Sequence, residues 1–286
     1  HMKELVDQYK PHGFWFDWYV AGFHPSETVV AEFLREYSPE TVFTLNHTNA
    51  FSIGSLHVFF GTNLSVLIII AFIHNRLFER RQRKKGALDL VHYTTFEAHT
   101  VRAAWKRSSL YRRFTRPWEL VGPAGKAWHN IRLRCDTHDL VRIAAMVMAN
   151  GGMYAIGVAA QMDGSIYPDH LKQIELVGEW YKPRKQLFRE AIPMDYSKKP
   201  PGVRCNNKKM RIAASRLGDE YLVHLFNLGA AADVKLRFDR DFWPNIGGVY
   251  LEPEHKELAI EHVAGGARVT IKRESLDPAD TILRIG

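Results

Sequence analysis

Apolar positions along the chain change their period once. Up to about residue 183 they recur mainly at helical spacing, broken by short aromatic or β-branched runs, and from Val203 onward they alternate with a period of two. Leu5, Val6 and Tyr9 mark the apolar side of a helix over 3–10, which Lys10-Pro11 and Gly13 stop. Phe14-Trp15-Phe16 reads as a strand, since aromatic residues favour a half-buried pleated surface, and it ends at Asp17. Val29, Val30, Phe33 and Leu34 predict a helix over 27–37, with Ser26 as its N-cap and Pro39 beyond its end. Thr41–Leu45 is a β-branched strand that delivers Asn46 and His47. This alternation of helix and strand is the rhythm of a parallel sheet with crossover helices. A further strand fits 116–120, and a helix runs from 136 or 137 through Met148 to Asn150-Gly151-Gly152. A buried strand is expected over 153–159, a turn at Asp163-Gly164, and a helix opened by Pro168 and running through Trp180.

The period-two runs are Met210–Leu217, Tyr221–Leu228, Val234–Phe238, Val249–Leu251, Leu258–His262, Ala267–Lys272 and Thr281–Ile285, with Gly247-Gly248 and Gly265-Gly266 as tight-turn signals. They predict a small antiparallel β-sandwich over 203–286. Pro193, Ser197 and Pro200-Pro201 cluster at the change of texture, so 184–202 is expected as a linker after a first domain over 1–183.

One stretch, 51–90, departs from this rhythm. Phe51 to Ile73 carries no formal charge, Val66–Ile73 is almost wholly aliphatic, and Arg76, Arg80, Arg81, Arg83, Lys84 and Lys85 follow. Its length would suit a membrane span with a cytoplasmic flank. Ser52, Gly54, Ser55, His57, Gly61, Thr62, Asn63 and Ser65 dilute it, however. A span would also put the strand ends at Asp17 and Glu119 on opposite sides of a bilayer. The expectation is an atypical apolar and basic insertion, and no membrane partner. With 286 residues, 46% hydrophobic, the chain can bury a large core, which excludes a disordered or low-complexity class. The net charge of +8 invites a nucleic-acid reading. No nucleic-acid-binding signature accompanies the basic run at 76–85 or that of Arg102, Lys106, Arg107, Arg112 and Arg113. These runs read as solvated faces, with no nucleic-acid partner. Cys135 and Cys205 lack metal-ligand spacing, so no metal and no cofactor are expected. No secretory leader opens the chain, and a reduced cytoplasm is the expected location.

The candidate chemistry lies at strand ends. A carboxylate such as Asp17 is costly in a core and natural at a barrel mouth, and Trp15 and Trp18 offer flat apolar faces of the kind that stack on sugar rings. A helix cap or an ion-paired loop carboxylate is the alternative. Gly13-Phe14-Trp15-Phe16-Asp17 resembles the strand-end motif of the α-L-fucosidase-like glycoside hydrolases, in which the Asp is the nucleophile. Arg116-Pro117-Trp118-Glu119 resembles the Trp-Glu segment of that family. Residues 137–182, including Gly178-Glu179-Trp180, resemble its last barrel segment. The resemblance covers 3–49, 92–130 and 137–182, and the β domain in style alone; 51–90 matches nothing in the family. It implies an α/β fold: a partial (β/α)8 TIM-type barrel followed by a C-terminal antiparallel β-sandwich. A complete barrel needs roughly 250 residues, more than precede 184, so the first domain reads as the C-terminal part of one.

What the resemblance implies for chemistry is a retaining double displacement on a carbohydrate. It needs two carboxyl groups about 5–5.5 Å apart. Asp17 is the expected nucleophile and Glu119 the acid/base, its pKa raised by the indole of Trp118. A salt bridge from Glu119 to Arg113 or Arg116 is the bland alternative, and Glu97 is the rival acid. His47 is a candidate for a sugar hydroxyl, and Trp15, Trp18, Trp118 and Trp128 for substrate binding, with core packing as the competing role for each. The alternative function is a catalytically incomplete carbohydrate-binding or structural remnant of such an enzyme. A homo-oligomer or a partner segment that completes the barrel belongs to the same set of expectations.

Overall fold

The structure, a computed structural model, describes residues 1–17, 27–46, 92–98, 100–111, 117–126, 128, 130–133, 137–196, 200–227, 232–244 and 246–286. Trp18, His47, Arg113, Arg116 and the atypical stretch 51–90 lie outside these. The chain divides into two compact units, residues 1–97 with 115–119, and residues 98–114 with 120–286.

The first unit contains α1 (Met2–Tyr9), β1 (Gly13–Phe16), α2 (Glu27–Tyr37), β2 (Val42–Leu45), β3 (Thr94–Glu97) and the first residues of β4 (Trp118–Pro123). The predicted α1 stops at Tyr9 because Lys10 turns left-handed (φ 46°) and returns its N–H to Val6 O. Strands β1 and β2 are parallel, in register from Gly13↔Val42 to Phe16↔Leu45. On α2, Val30, Ala31 and Leu34 are buried against Phe43 and Leu45, with Phe14, Phe16 and Phe33 at the edge. Val29, expected on the apolar face, is 52% exposed; the stripe runs through Ala31 instead. Beside β2 lies β3, tied on by His92 N–H to Phe43 O (3.0 Å) and by Thr44 Oγ1 to Tyr93 O (2.7 Å). Thr94 N–H reaches Pro117 O at 3.1 Å at the start of β4.

The second unit holds the rest of β4 beside β5 (Met153–Gly157), then three longer helices: α3 (Val101–Tyr111), α4 (Thr137–Ala149) and α5 (Pro168–Tyr181). Helix α4 ends as predicted, with Gly151 at φ 78° and Gly152 N–H bonded to Val147 O. The expected buried strand over 153–159 is shorter and only half-buried, because β5 is an edge strand and Met153 is 57% exposed. The expected linker 184–202 is structured. It carries α6 (Lys185–Arg189) and β6 (Ile192–Pro193), which pairs with β8 (Met210–Leu217), and the buried Tyr196 hydroxyl accepts the N–H of Ala214.

The remaining strands are β7 (Val203–Cys205), β9 (Glu220–Asn227), β10 (Val234–Asp239), β11 (Val249–Glu252), β12 (Lys256–Glu257), β13 (Ile260–Val263), β14 (Gly266–Ile271) and β15 (Thr281–Ile285). They form an antiparallel sandwich of two sheets, β13-β14-β10-β7 and β12-β11-β15-β9-β8-β6. Its core joins Leu236, Phe238, Val269 and Ile271 of one sheet to Val223, Leu225, Val249 and Leu283 of the other. Gly265 (φ 78°) lies in the two-residue loop between β13 and β14, as expected. Gly247-Gly248 does not close a hairpin; both N–H groups bond to Gly286 O beside β11.

Strand β9 is buried on both faces. Val223 and Leu225 enter the sandwich core, whereas Phe226 packs on Ala145, Met146 and Ala149 of α4 and Leu222 on Leu187 of α6. A doubly covered strand needs a continuous apolar run, and Leu222–Phe226 supplies one around His224. This packing makes the sandwich and the helices 137–189 one compact unit, so the contact boundary falls inside β4 and not at 184–202.

Candidate active site

Side chains two apart on a strand share a face, and this periodicity builds the candidate site in the first unit as two layers. The outer layer follows the strand ends: Asp17 directly after β1, Asn46 directly after β2 and Glu97 at the end of β3. Two residues back in β1 and β3, Trp15 and Thr95 form the inner layer with Glu119 of β4.

Asn46 couples the outer layer. Its own N–H is held by Phe16 O at 2.7 Å, and it is 0% exposed. Its Nδ2 donates to Asp17 Oδ1 at 3.0 Å and to Glu97 Oε1 at 2.9 Å. Acceptors on the two hydrogens of one amide lie about 5 Å apart, the separation that a pair of carboxyl groups needs for a double displacement.

The inner layer sets the charge of Glu119. The Trp15 indole N–H donates to Glu119 Oε1 at 2.6 Å and contacts Thr95 Oγ1 at 3.3 Å. Burial pushes the Glu119 carboxyl up from its ordinary value, while hydrogen bonds from Thr95 and Trp15 hold it partway down. The neighbouring Tyr93 phenol is pushed up to about 12, first by burial and then by the charge of Glu119. The indole that reaches Glu119 is therefore Trp15 and not the expected Trp118. Adjacent strand residues point to opposite faces, and Trp118 is only 2% exposed, packed instead of presented.

Of the residues singled out from the sequence, Asp17, Glu97, Glu119 and Trp15 come together in the first unit. Trp128 belongs to the second unit, where its half-buried ring covers Gly157 so closely that a Cβ there would lie 2.5 Å from Cζ3. Asn46, Thr95 and Tyr93 were not anticipated as site residues; a period-two reading back from Glu97 would have found Thr95. Among the described residues, no group of three or more His, Cys, Asp or Glu is gathered for a metal, and no helix is long and apolar enough to cross a membrane.

Carboxylates at the ends of neighbouring strands, ahead of an antiparallel sandwich, put the chain with mixed α/β proteins of glycosidase architecture. It belongs to the α-L-fucosidase family, whose model matches residues 1–186. Solved structures share the fold. α-L-Fucosidase isoenzyme 1 from Paenibacillus thiaminolyticus is 14% identical, with a TM-score of 0.63 over 99% of this chain and 60% of its own. A Thermotoga maritima α-L-fucosynthase in complex with a fucose disaccharide is 14% identical, with a TM-score of 0.58 over 100% and 53%. An α-L-fucosidase from Bacteroides thetaiotaomicron is 11% identical, with a TM-score of 0.51 over 91% and 58%. The chain thus spans little more than half the length of the solved structures it matches. No curated protein matches it.

Proposed function

We propose that the chain is a glycoside hydrolase of the α-L-fucosidase type, with residues 1–183 forming the C-terminal part of a (β/α)8 barrel. In this reading a carboxylate oxygen of Asp17 attacks the anomeric carbon while Glu119 gives its proton to the departing glycosidic oxygen. A glycosyl ester on Asp17 results. Glu119, now ionised, takes a proton from water, whose oxygen displaces Asp17 from the anomeric carbon with net retention. The observation that carries the proposal is the division of labour between the layers: burial favours the protonated form of Glu119, as a general acid requires, while Asp17 takes an amide hydrogen bond from Asn46. Glu97, coupled to Asp17 through Asn46, is the rival acid.

The test is turnover of an aryl α-L-fucoside together with trapping by a 2-fluoro sugar. Label on Asp17 in the mass spectrum and a loss of about a thousandfold or more in Asp17→Asn are expected. Label elsewhere, or full activity in the variant, overturns the assignment. Glu119→Gln should spare substrates with good leaving groups far more than poor ones; the same pattern in Glu97→Gln instead would transfer the acid role.

A further inference from the structure

Within the second unit, α3 and the start of the sandwich enclose a cleft of about 730 Å³ that collects positive charge. Arg102 and Lys106, one helical turn apart on α3, line it together with Arg204, Lys208 and Arg211. Among the described residues, no carboxylate lines it. Arg204 is paired with Asp239 at 3.0 Å, but among the described residues no ion pair neutralises Arg102, Lys106, Lys208 or Arg211. Gathering like charges around one concavity costs stability unless an anion enters. Trp105, whose ring is anchored on Phe226 at 5.7 Å, is the one aromatic side chain among the described residues of the lining.

We propose that this cleft binds an anionic oligosaccharide, a short sugar chain carrying sulfate or carboxylate groups. Guanidinium forks grip such oxyanions through paired N–H donors, and the lysines add unoriented charge. The indole offers an apolar face to a sugar ring. The volume lies within the range of about 300–1,000 Å³ typical of small-ligand sites, enough for a few sugar units. Single-stranded nucleic acid is the weaker fit, because its grooves present successive aromatic platforms for successive bases and this lining has one. The choice of a sugar among polyanions rests on the glycosidase reading above; the anion site itself rests on the cleft.

The experiment titrates the full chain, carrying Asp17→Asn to prevent turnover, with a heparin-derived hexasaccharide, a hexagalacturonate and an uncharged maltohexaose, by calorimetry at several salt concentrations. Binding of one or both charged probes, but not of the uncharged one, is expected; binding of the hexagalacturonate shows that carboxylates suffice, and binding of the heparin hexasaccharide alone shows that sulfate is required. Affinity should fall with salt with a logarithmic slope of roughly −2 to −3. Lys106→Ala and Arg211→Ala should each weaken binding by about threefold to fivefold. The double variant Lys106→Glu, Lys208→Glu should weaken it by about 30-fold or more, with melting temperature and turnover of a small aryl glycoside unchanged when Asp17 is restored. Equal binding of the uncharged probe, or variants that bind like the parent, overturns the site. A single-stranded oligonucleotide that binds more tightly than either charged sugar, with the same response to the variants, overturns the sugar assignment while leaving the glycosidase test untouched.

Discussion

Replacing Trp15 with phenylalanine removes one donor from Glu119 and leaves the aromatic face of β1 nearly intact. The indole N–H bonds to Oε1 at 2.6 Å and opposes the rise that burial imposes on this carboxyl. A hydrogen bond to a charged group contributes about 1.5–3 kcal/mol where both partners are desolvated. Trp15 is 37% exposed, and water replaces part of the lost bond, so the ionised form loses about 1 kcal/mol and the Glu119 pKa shifts. The shift is upward, because an N–H donor favours the ionised form. Thr95→Val, at a buried hydroxyl that opposes burial more strongly than Trp15 does, should raise the Glu119 pKa by at least as much. The assay is a carbon-13 carboxyl titration by NMR, with the Glu119 signal assigned by its loss in Glu119→Gln; it needs no turnover. Stability carries the same sign. A carboxyl whose folded pKa lies above its ordinary 4.5 binds more protons folded than unfolded, so stability falls as pH rises from there through the folded value. Trp15→Phe extends that window upward and should lose more stability than the parent on going from pH 4.5 to 7. A Glu119 midpoint that stays put or drops would refute the claim that this indole holds the carboxyl down.

Four further substitutions test the packing. Asn46→Ala removes the amide shared by Asp17 and Glu97 and should cost about 1–3 kcal/mol in urea denaturation at neutral pH. Asp280→Ala leaves His224, 0% exposed and bonded to it at 2.7 Å, without that partner inside the doubly covered sheet; a loss of about 3–5 kcal/mol is expected by thermal melting. Gly266→Ala would put a Cβ 1.9 Å from Phe238 O at a φ of 153° and should cost about 2 kcal/mol or more in denaturant. Gly164→Ala, left-handed but in open space, should cost only about 1 kcal/mol.

Legibility in the sequence followed the strength of the local signal. The seven alternating runs after residue 203 correspond to strands, because alternation with tight turns has few other realisations. Helix α3 escaped notice because its basic residues dominate the stretch, although Ala104 and Ser108 are fully buried and set its inner face. Strand β3 is four residues long, too short for periodicity to separate from a loop. The linker reading of 184–202 took prolines as punctuation, where Pro193 sits in edge strand β6 and needs no ladder N–H.

The site divides along the same line. Asp17 was visible because a carboxylate ending an apolar run is anomalous in a single strand, whereas Glu119, near the start of β4 and not at the end of a strand, was marked only by its place in Arg116-Pro117-Trp118-Glu119. Asn46 does not stand out; an asparagine after a strand is ordinary. Its role arises only when β2 lies beside β1 and β3, which places one amide between the ends of two flanking strands where its two hydrogens reach Asp17 and Glu97. Thr95 and Trp15 depend in the same way on adjacency, reaching Glu119 across 24 and 104 residues of sequence. The groups that carry charge are written locally, whereas the groups that tune it are fixed by strand order, and the Trp15 and Asn46 substitutions probe that second set.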